Sequence, residues 1–234
     1  MPKVHVTPNA LDPAYFIDGA NRYDRFIYAS SPSRGLHEVL KVWPSIRSRL
    51  LAVDAVRFRD IRLDVYYGFT PKFVEWGRSN IDDFPNWLAE MKRLLKDTEG
   101  VNYIGLVDHT QLATAYAGAG FSLYPTSFPE TGCVSLMKAQ AMGAVPVTSR
   151  YEDSTLPELT GQFDLGPRGR PGQISQDPAW LHEWEDAVVD AAEKDMRGQL
   201  APHRSMMIRR SRERFLWRTV AGLWHEAFNH ALGR

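Results

Sequence analysis

Residues 128–147, FPETGCVSLMKAQAMGAVPV, set an acidic residue, a helix start and a strand in immediate succession. Glu130 leads, followed by the small residues Thr131, Gly132 and Cys133. Val134, Leu136, Met137 and Ala141 recur at helical spacing, Gly143 closes the run, and residues 145–148 read as a compact strand. A helix starting at Gly132 or Cys133 leaves about four backbone N–H groups unpaired at its positive end, an arrangement that suits a diphosphate. The segment is therefore a candidate ligand site.

Around it, short apolar strands alternate with longer helical patterns. Strands are expected over 4–6, 25–29, 61–66, 101–104, 121–123 and 145–148, and helices over 36–49, 83–98, 110–118 and 134–142. This alternation predicts an α/β fold, a Rossmann-like parallel sheet with helices on both faces. Asp108 or Thr110 is the expected N-cap of the third helix. Residues 161–175, rich in Gly and Pro, read as loop, and the chain is expected to be helical from Pro178 to its end. The segments divide as 1–24, a linker-like stretch with the first strand; 25–175, the sheet domain; and 176–234, C-terminal helices.

The loop 29–35, ASSPSRG, follows a strand and precedes a helix, so it lies at the carboxyl edge of the sheet, where ligands bind. Ser30, Ser31 and Ser33 offer hydroxyls, Arg34 offers a planar cationic fork suited to phosphate, and Gly35 permits close backbone approach. The plainer alternative is a serine-rich turn with its arginine in water.

With 28 Lys+Arg against 28 Asp+Glu in 234 residues, the chain has no net charge, so nothing global favours nucleic acid or an anionic membrane. A hydrophobic fraction of 44% supports a full core. The single cysteine, Cys133, excludes an intrachain disulfide and reads as a packed residue rather than a nucleophile. The seven histidines are scattered without metal-ligand spacing, and no metal site is expected. No apolar run reaches transmembrane length and the N-terminus lacks a signal-peptide core, so the chain is read as cytoplasmic, with a peripheral membrane position as the alternative. Glu130 could simply stabilise its own helix, by about 0.5 kcal/mol. Lys138, roughly two turns into the helix, could reach the same ligand or lie solvated.

In their order, the Arg34 loop, YIGLV (103–107), FSLYPTSFPE (121–130) and the GCVSLMKAQAMGAVPV block (132–147) resemble the C-terminal, donor-binding half of a GT-B glycosyltransferase of the retaining kind related to family 4. The resemblance runs from about residue 4 to 149. RFLWRTVAGLWHEAF (214–228) resembles the closing helix that in this family crosses back onto the N-terminal domain.

The resemblance implies a nucleotide-sugar substrate, with a UDP-, GDP- or ADP-sugar as the alternatives, no cofactor and no metal. Arg34 and Glu130 would be the catalytic-site pair: Arg34 on the donor phosphates, Glu130 against the sugar hydroxyls. Ser30 or Ser31 stands where the family often has another basic residue. Gly105, Leu106 and Val107 would lie beside the base, with Thr131 and the N–H groups of Gly132, Cys133 and Val134 at the diphosphate. Lys138 replaces the second Glu of the family's Glu-x7-Glu motif and cannot accept ribose hydroxyls as a carboxylate does. The chain opens at what resembles the interdomain linker, which implies an acceptor domain, or a partner chain supplying it, outside these residues; the acceptor is a glycan, lipid or protein. The alternatives are a non-catalytic nucleotide or nucleotide-sugar module and a protein-interaction module. Trp217, Val220, Leu223, Trp224 and Phe228 bear on the last, because their helical spacing marks either a core stripe or an exposed binding face.

Overall fold

The computed structural model describes residues 5–150, 154–167 and 177–233. Apolar residues of alternating orientation build five strands: β1 (Arg22–Ala29), β2 (Arg62–Tyr66), β3 (Val101–Gly105), β4 (Ala119–Tyr124) and β5 (Val145–Thr148). All pair in parallel, in the order β3-β2-β1-β4-β5. Phe26 stands opposite both Leu63 of β2 and Phe121 of β4, which puts β1 at the centre of the sheet.

The helices are α1 (Leu36–Val53), α2 (Pro71–Asn80), α3 (Phe84–Asp97), α4 (His109–Gly118), α5 (Val134–Ala141), α6 (Leu156–Thr160), α7 (Pro178–Met196), α8 (Ala201–Phe215) and α9 (Trp217–Ala231). The period-2 alternation of β1 divides the core. Phe26 and Tyr28 join Leu40 and Trp43 of α1 and Trp184 of α7, whereas Ile27 and Ala29 join Ala113 and Tyr116 of α4. Each fully buried Leu or Phe stabilises the fold by about 1.5–3 kcal/mol. This is the expected Rossmann-like α/β architecture.

Several local expectations change. No strand forms at His5 or Val6, and Val4 lies outside the described residues; this segment runs beside α9, where Trp224 Nε1 donates to Thr7 Oγ1 at 2.7 Å. The first strand of the sheet instead begins at Arg22, before the expected residue 25. α2 is a helix beyond those expected. Thr70 caps it by accepting from the Phe73 N–H, and Pro71 occupies its first turn, a start signal present in the sequence. α1 runs on to Val53 and contains Pro44, which lacks the N–H a helix interior uses. Asp108 rather than Thr110 caps α4, in a reciprocal capping box with Gln111. Most of the expected loop over 161–175 lies outside the described residues; its start is a 3-10 turn, Gly161–Phe163.

The topology decides where a ligand can sit. From β1 the chain moves outward to β2 and β3, then returns beside β1 as β4 and continues the other way to β5. The loops leaving the carboxyl ends of β1 and β4 therefore part and leave a crevice. Gly35 fixes their separation: its φ is 92°, and a Cβ there would stand 2.2 Å from the Pro125 carbonyl oxygen. Gly35→Ala is expected to destabilise the protein by about 1–3 kcal/mol in urea unfolding, through strain and overpacking between the loops.

In α9, only Val220 of the apolar stripe is buried; Trp217, Trp224 and Phe228 are more than half exposed. The core-facing reading of the stripe is thus corrected: α9 turns most of that face outward. Replacing Trp224 and Phe228 by serine should move stability by no more than roughly 0.5 kcal/mol, as surface changes do, and a large loss would return the stripe to the core.

Candidate functional site

Glu130 and Arg34, 96 residues apart, meet in the crevice. Arg34 Nη1 donates to Glu130 Oε1 at 2.6 Å, with the carboxylate side chain 5% exposed and the guanidinium 31% exposed. The Arg34 Cζ also lies 3.8 Å from the centroid of the Phe128 ring, a cation–π contact on the open side of the pair. Burial disfavours the Arg34 charge, but Glu130 and Tyr124 more than offset it and its pKa is raised.

Tyr124, the last residue of β4, is the member sequence reasoning missed. Its hydroxyl donates to the same Glu130 Oε1 and lies 3.1 Å from Ser30 Oγ, which can donate to it in turn. Burial, with neighbouring Cys133, Tyr28 and Glu130, pushes the phenol far above its ordinary range, so it stays a donor. The signal was an aromatic closing a strand just before Pro125, but only the fold brings it to both loops. Tyr28 fastens the Arg34 loop from beneath, its hydroxyl 2.8 Å from the Ser31 carbonyl oxygen and 3.0 Å from that of Arg34. The backbone of Glu130 is held as well, its carbonyl accepting from the Thr155 N–H at 2.7 Å.

Cys133 is the N-cap of α5, which starts at Val134 with no side-chain cap and no acidic residue in its first turn. The loop that carries Glu130 leads directly into this helix end, whose first N–H groups carry a partial positive charge. Cys133 itself is buried and its thiol is pushed up to about 12, chiefly by burial, as a packed thiol rather than a nucleophile. Asn9 Nδ2 donates to the Gly132 carbonyl at 3.3 Å, and Thr131 is exposed.

The other expected residues fall at different distances from this pair. Leu106 is exposed and shares one groove with Ser31, Arg34 and Phe128; Gly105 ends β3 at φ 83°, accepting from the Tyr67 N–H. Lys138 turns instead toward α4, its Nζ 2.7 Å from His109 Nδ1, with its pKa lowered by burial. Ser31 Oγ pairs with Ser33 Oγ at 3.2 Å. Among the described residues, no group of three or more His, Cys, Asp or Glu could hold a metal ion. No described helix is long and apolar enough to cross a membrane.

An all-parallel sheet with this crevice at its reversal point defines a Rossmann-like domain with a ligand edge. Solved structures make the class narrower. The chain is similar to Anabaena Alr3699/HepE in complex with UDP and glucose, with a TM-score of 0.63, 15% identity, and coverage of 90% of this chain and 49% of that one. It is similar to the pneumococcal O-GlcNAc transferase GtfA in complex with UDP and GlcNAc (TM-score 0.57, 14% identity, 97% and 39%). WaaG, a glycosyltransferase involved in lipopolysaccharide biosynthesis, gives 0.54, 12% identity, 92% and 47%. The fold is that of the C-terminal domain of GT-B glycosyltransferases, and the chain spans about half or less of the length of these structures. No protein-family model matches the chain, and no curated protein does.

Tyr124→Phe keeps the packed ring and removes the donor to Glu130. It is expected to cost about 1.5–3 kcal/mol in thermal or urea unfolding, the range for a hydrogen bond to a charged group, whereas Ser30→Ala should cost much less.

Proposed function

We propose that this chain is the donor-binding domain of a retaining GT-B glycosyltransferase, related to family 4, that transfers a sugar from a nucleotide-sugar. The observation that carries the reading is the buried Glu130–Arg34 pair, set in the crevice beside the uncapped start of α5. A diphosphate placed there meets the Arg34 guanidinium and the α5 N–H groups, both preorganised, so leaving-group charge is stabilised as it develops. Glu130, held by two donors on Oε1, presents its carboxylate to sugar hydroxyls. In the transfer, the bond from the anomeric carbon to the phosphate oxygen breaks and a bond to the acceptor oxygen forms on the same face. The acceptor proton passes to the leaving diphosphate. A uridine diphosphate sugar is the favoured donor, because the Anabaena and pneumococcal structures similar in fold hold UDP.

The acceptor half comes from another domain or chain. The outward face of α9 supports this, since Trp217, Trp224 and Phe228 leave an apolar surface beside residues 8–10, with a cavity of about 370 Å³ between them. The chain alone is therefore a binder of donor first and a catalyst only with its partner domain. A non-catalytic donor-binding module is the second reading, favoured by Lys138, which is engaged with His109 and offers no carboxylate to a ribose.

Calorimetric titration with UDP-, GDP- and ADP-sugars tests the reading. At least one should bind, and Glu130→Gln and Arg34→Lys should each weaken it about tenfold or more, because a planar, charge-assisted fork is not replaced by an ammonium. Circular dichroism on the same variants separates lost binding from lost fold. Absence of binding by all three at high micromolar concentration would refute both readings.

A further inference from the structure

A pocket of about 300 Å³ opens between α8 and the turn that ends α6. Arg210, Ser211 and Arg214 of α8 line one wall, and Leu159, Thr160 and Gln162 line the other. None of these residues belongs to the Arg34–Glu130 crevice or its groove. The charge of the pocket is one-sided: two arginines stand one helical turn apart, and no carboxylate among the described residues lines it. Like charges at this spacing cost a helix about 0.2–0.5 kcal/mol, so an anion between them is locally favoured even in a chain with no net charge.

Two other arginines of α8 are matched. Arg204 pairs with Asp195 and Arg212 with Asp18, and both also donate to backbone carbonyls. Arg214 has no such carboxylate. Its Nη1 donates to the Glu158 and Leu159 carbonyls at the end of α6, at 2.8 and 3.5 Å, which holds the guanidinium at the pocket with its other N–H groups still to be satisfied. Arg210 is exposed and forms neither an ion pair nor a hydrogen bond among the described residues. Glu213 on the same helix and Glu158 of α6 are exposed and pair with neither arginine, and Arg209, also unpaired, lies outside the lining. Ser211 is an independent sign of a ligand. It is 3% exposed and lines the pocket, yet its hydroxyl has no hydrogen-bond partner among the described residues. Buried hydroxyls are ordinarily paired, and a ligand oxygen in the pocket completes this one. Gln140, 1% exposed and in the same lining, donates from Nε2 to the Leu136 and Leu159 carbonyls and keeps its carboxamide oxygen as an acceptor.

We propose that this pocket is a separate anion site, which takes a small phosphomonoester bearing a hydroxyl group. The two guanidiniums and the Ser211 hydroxyl offer more donors than the two oxygens of a carboxylate can meet, whereas the phosphate group has three terminal oxygens to share among them. The Gln140 oxygen suits a hydroxyl on the same molecule. The volume, at the lower end of the roughly 300–1,000 Å³ usual for small-molecule sites, fits an occupant smaller than a nucleotide-sugar. The site stands apart from the donor-binding reading and needs no second domain.

The test is calorimetry on the full chain with inorganic phosphate and glycerol 3-phosphate, for the wild type, Arg210→Ala, Ser211→Ala and Arg34→Lys. Arg210 makes no bond in the fold and Ser211→Ala removes a single unpaired hydroxyl, so both variants should fold, which circular dichroism checks. Arg210→Ala should weaken both ligands about tenfold and Ser211→Ala about threefold, while binding persists in Arg34→Lys. Glycerol 3-phosphate should bind about threefold or more tightly than inorganic phosphate, through its hydroxyl contact. Equal affinity for the two would reduce the site to a bare oxyanion hole and overturn the phosphomonoester assignment. Binding that Arg210→Ala leaves untouched, or no binding of either ligand at low millimolar concentration, would overturn the pocket itself. Either failure leaves the donor reading, which the UDP-sugar titration tests, untouched.

Discussion

A single carboxylate oxygen joins the two loops of the crevice. Glu130 Oε1 accepts from Arg34, which comes from the loop after β1, and from Tyr124, which closes β4. A carboxylate taken out of water is tolerated only where such donors replace its hydration, and removing one partner of a buried pair costs about 3–5 kcal/mol. Glu130 therefore fixes both loops, and the loops in turn fix what the sheet edge can bind. Tyr28 beneath Arg34, Ser30 beside Tyr124 and the Thr155 N–H on the Glu130 carbonyl all serve the same geometry.

The parallel order β3-β2-β1-β4-β5 is what makes that meeting possible. Because β1 and β4 are neighbours in space although the chain between them builds β2 and β3, residues 96 positions apart reach hydrogen-bond distance. The pair stays next to solvent on the Arg34 side, where the side chain is 31% exposed. Phe128 narrows that opening by lying across the guanidinium. Stability and binding thus draw on the same groups, and a ligand that takes over part of Arg34 must repay what Glu130 gives up.

Much of this was legible in the sequence, for physical reasons that differ by element. The strands around Phe26, Leu63, Phe121 and Val145 carry the buried runs of a parallel sheet, and the loop–helix starts at Gly35 and Cys133 carry their own signals. Arg34 and Glu130 stood out as residue types at a sheet edge. Their contact could not be read, because it depends on the turn of each loop. Tyr124 was hidden by being an ordinary strand residue, whereas α2 carried a start signal at Thr70–Pro71 that the reading of the helical runs did not use. Lys138 was legible as a departure but not as a partner of His109, which required the packing of α5 on α4. The stripe of α9 was ambiguous in principle, since helical spacing of apolar residues is the same for a core and for a docking face.

The central claim is that the crevice between the β1–α1 and β4–α5 loops holds a donor diphosphate. A crystal structure of the full chain with UDP-glucose tests it most directly. The account predicts phosphate density within hydrogen-bond distance of the Arg34 guanidinium and the first N–H groups of α5, with the hexose against Glu130. Phosphate density at any other surface, with the Arg34–Glu130 pair untouched, would contradict it.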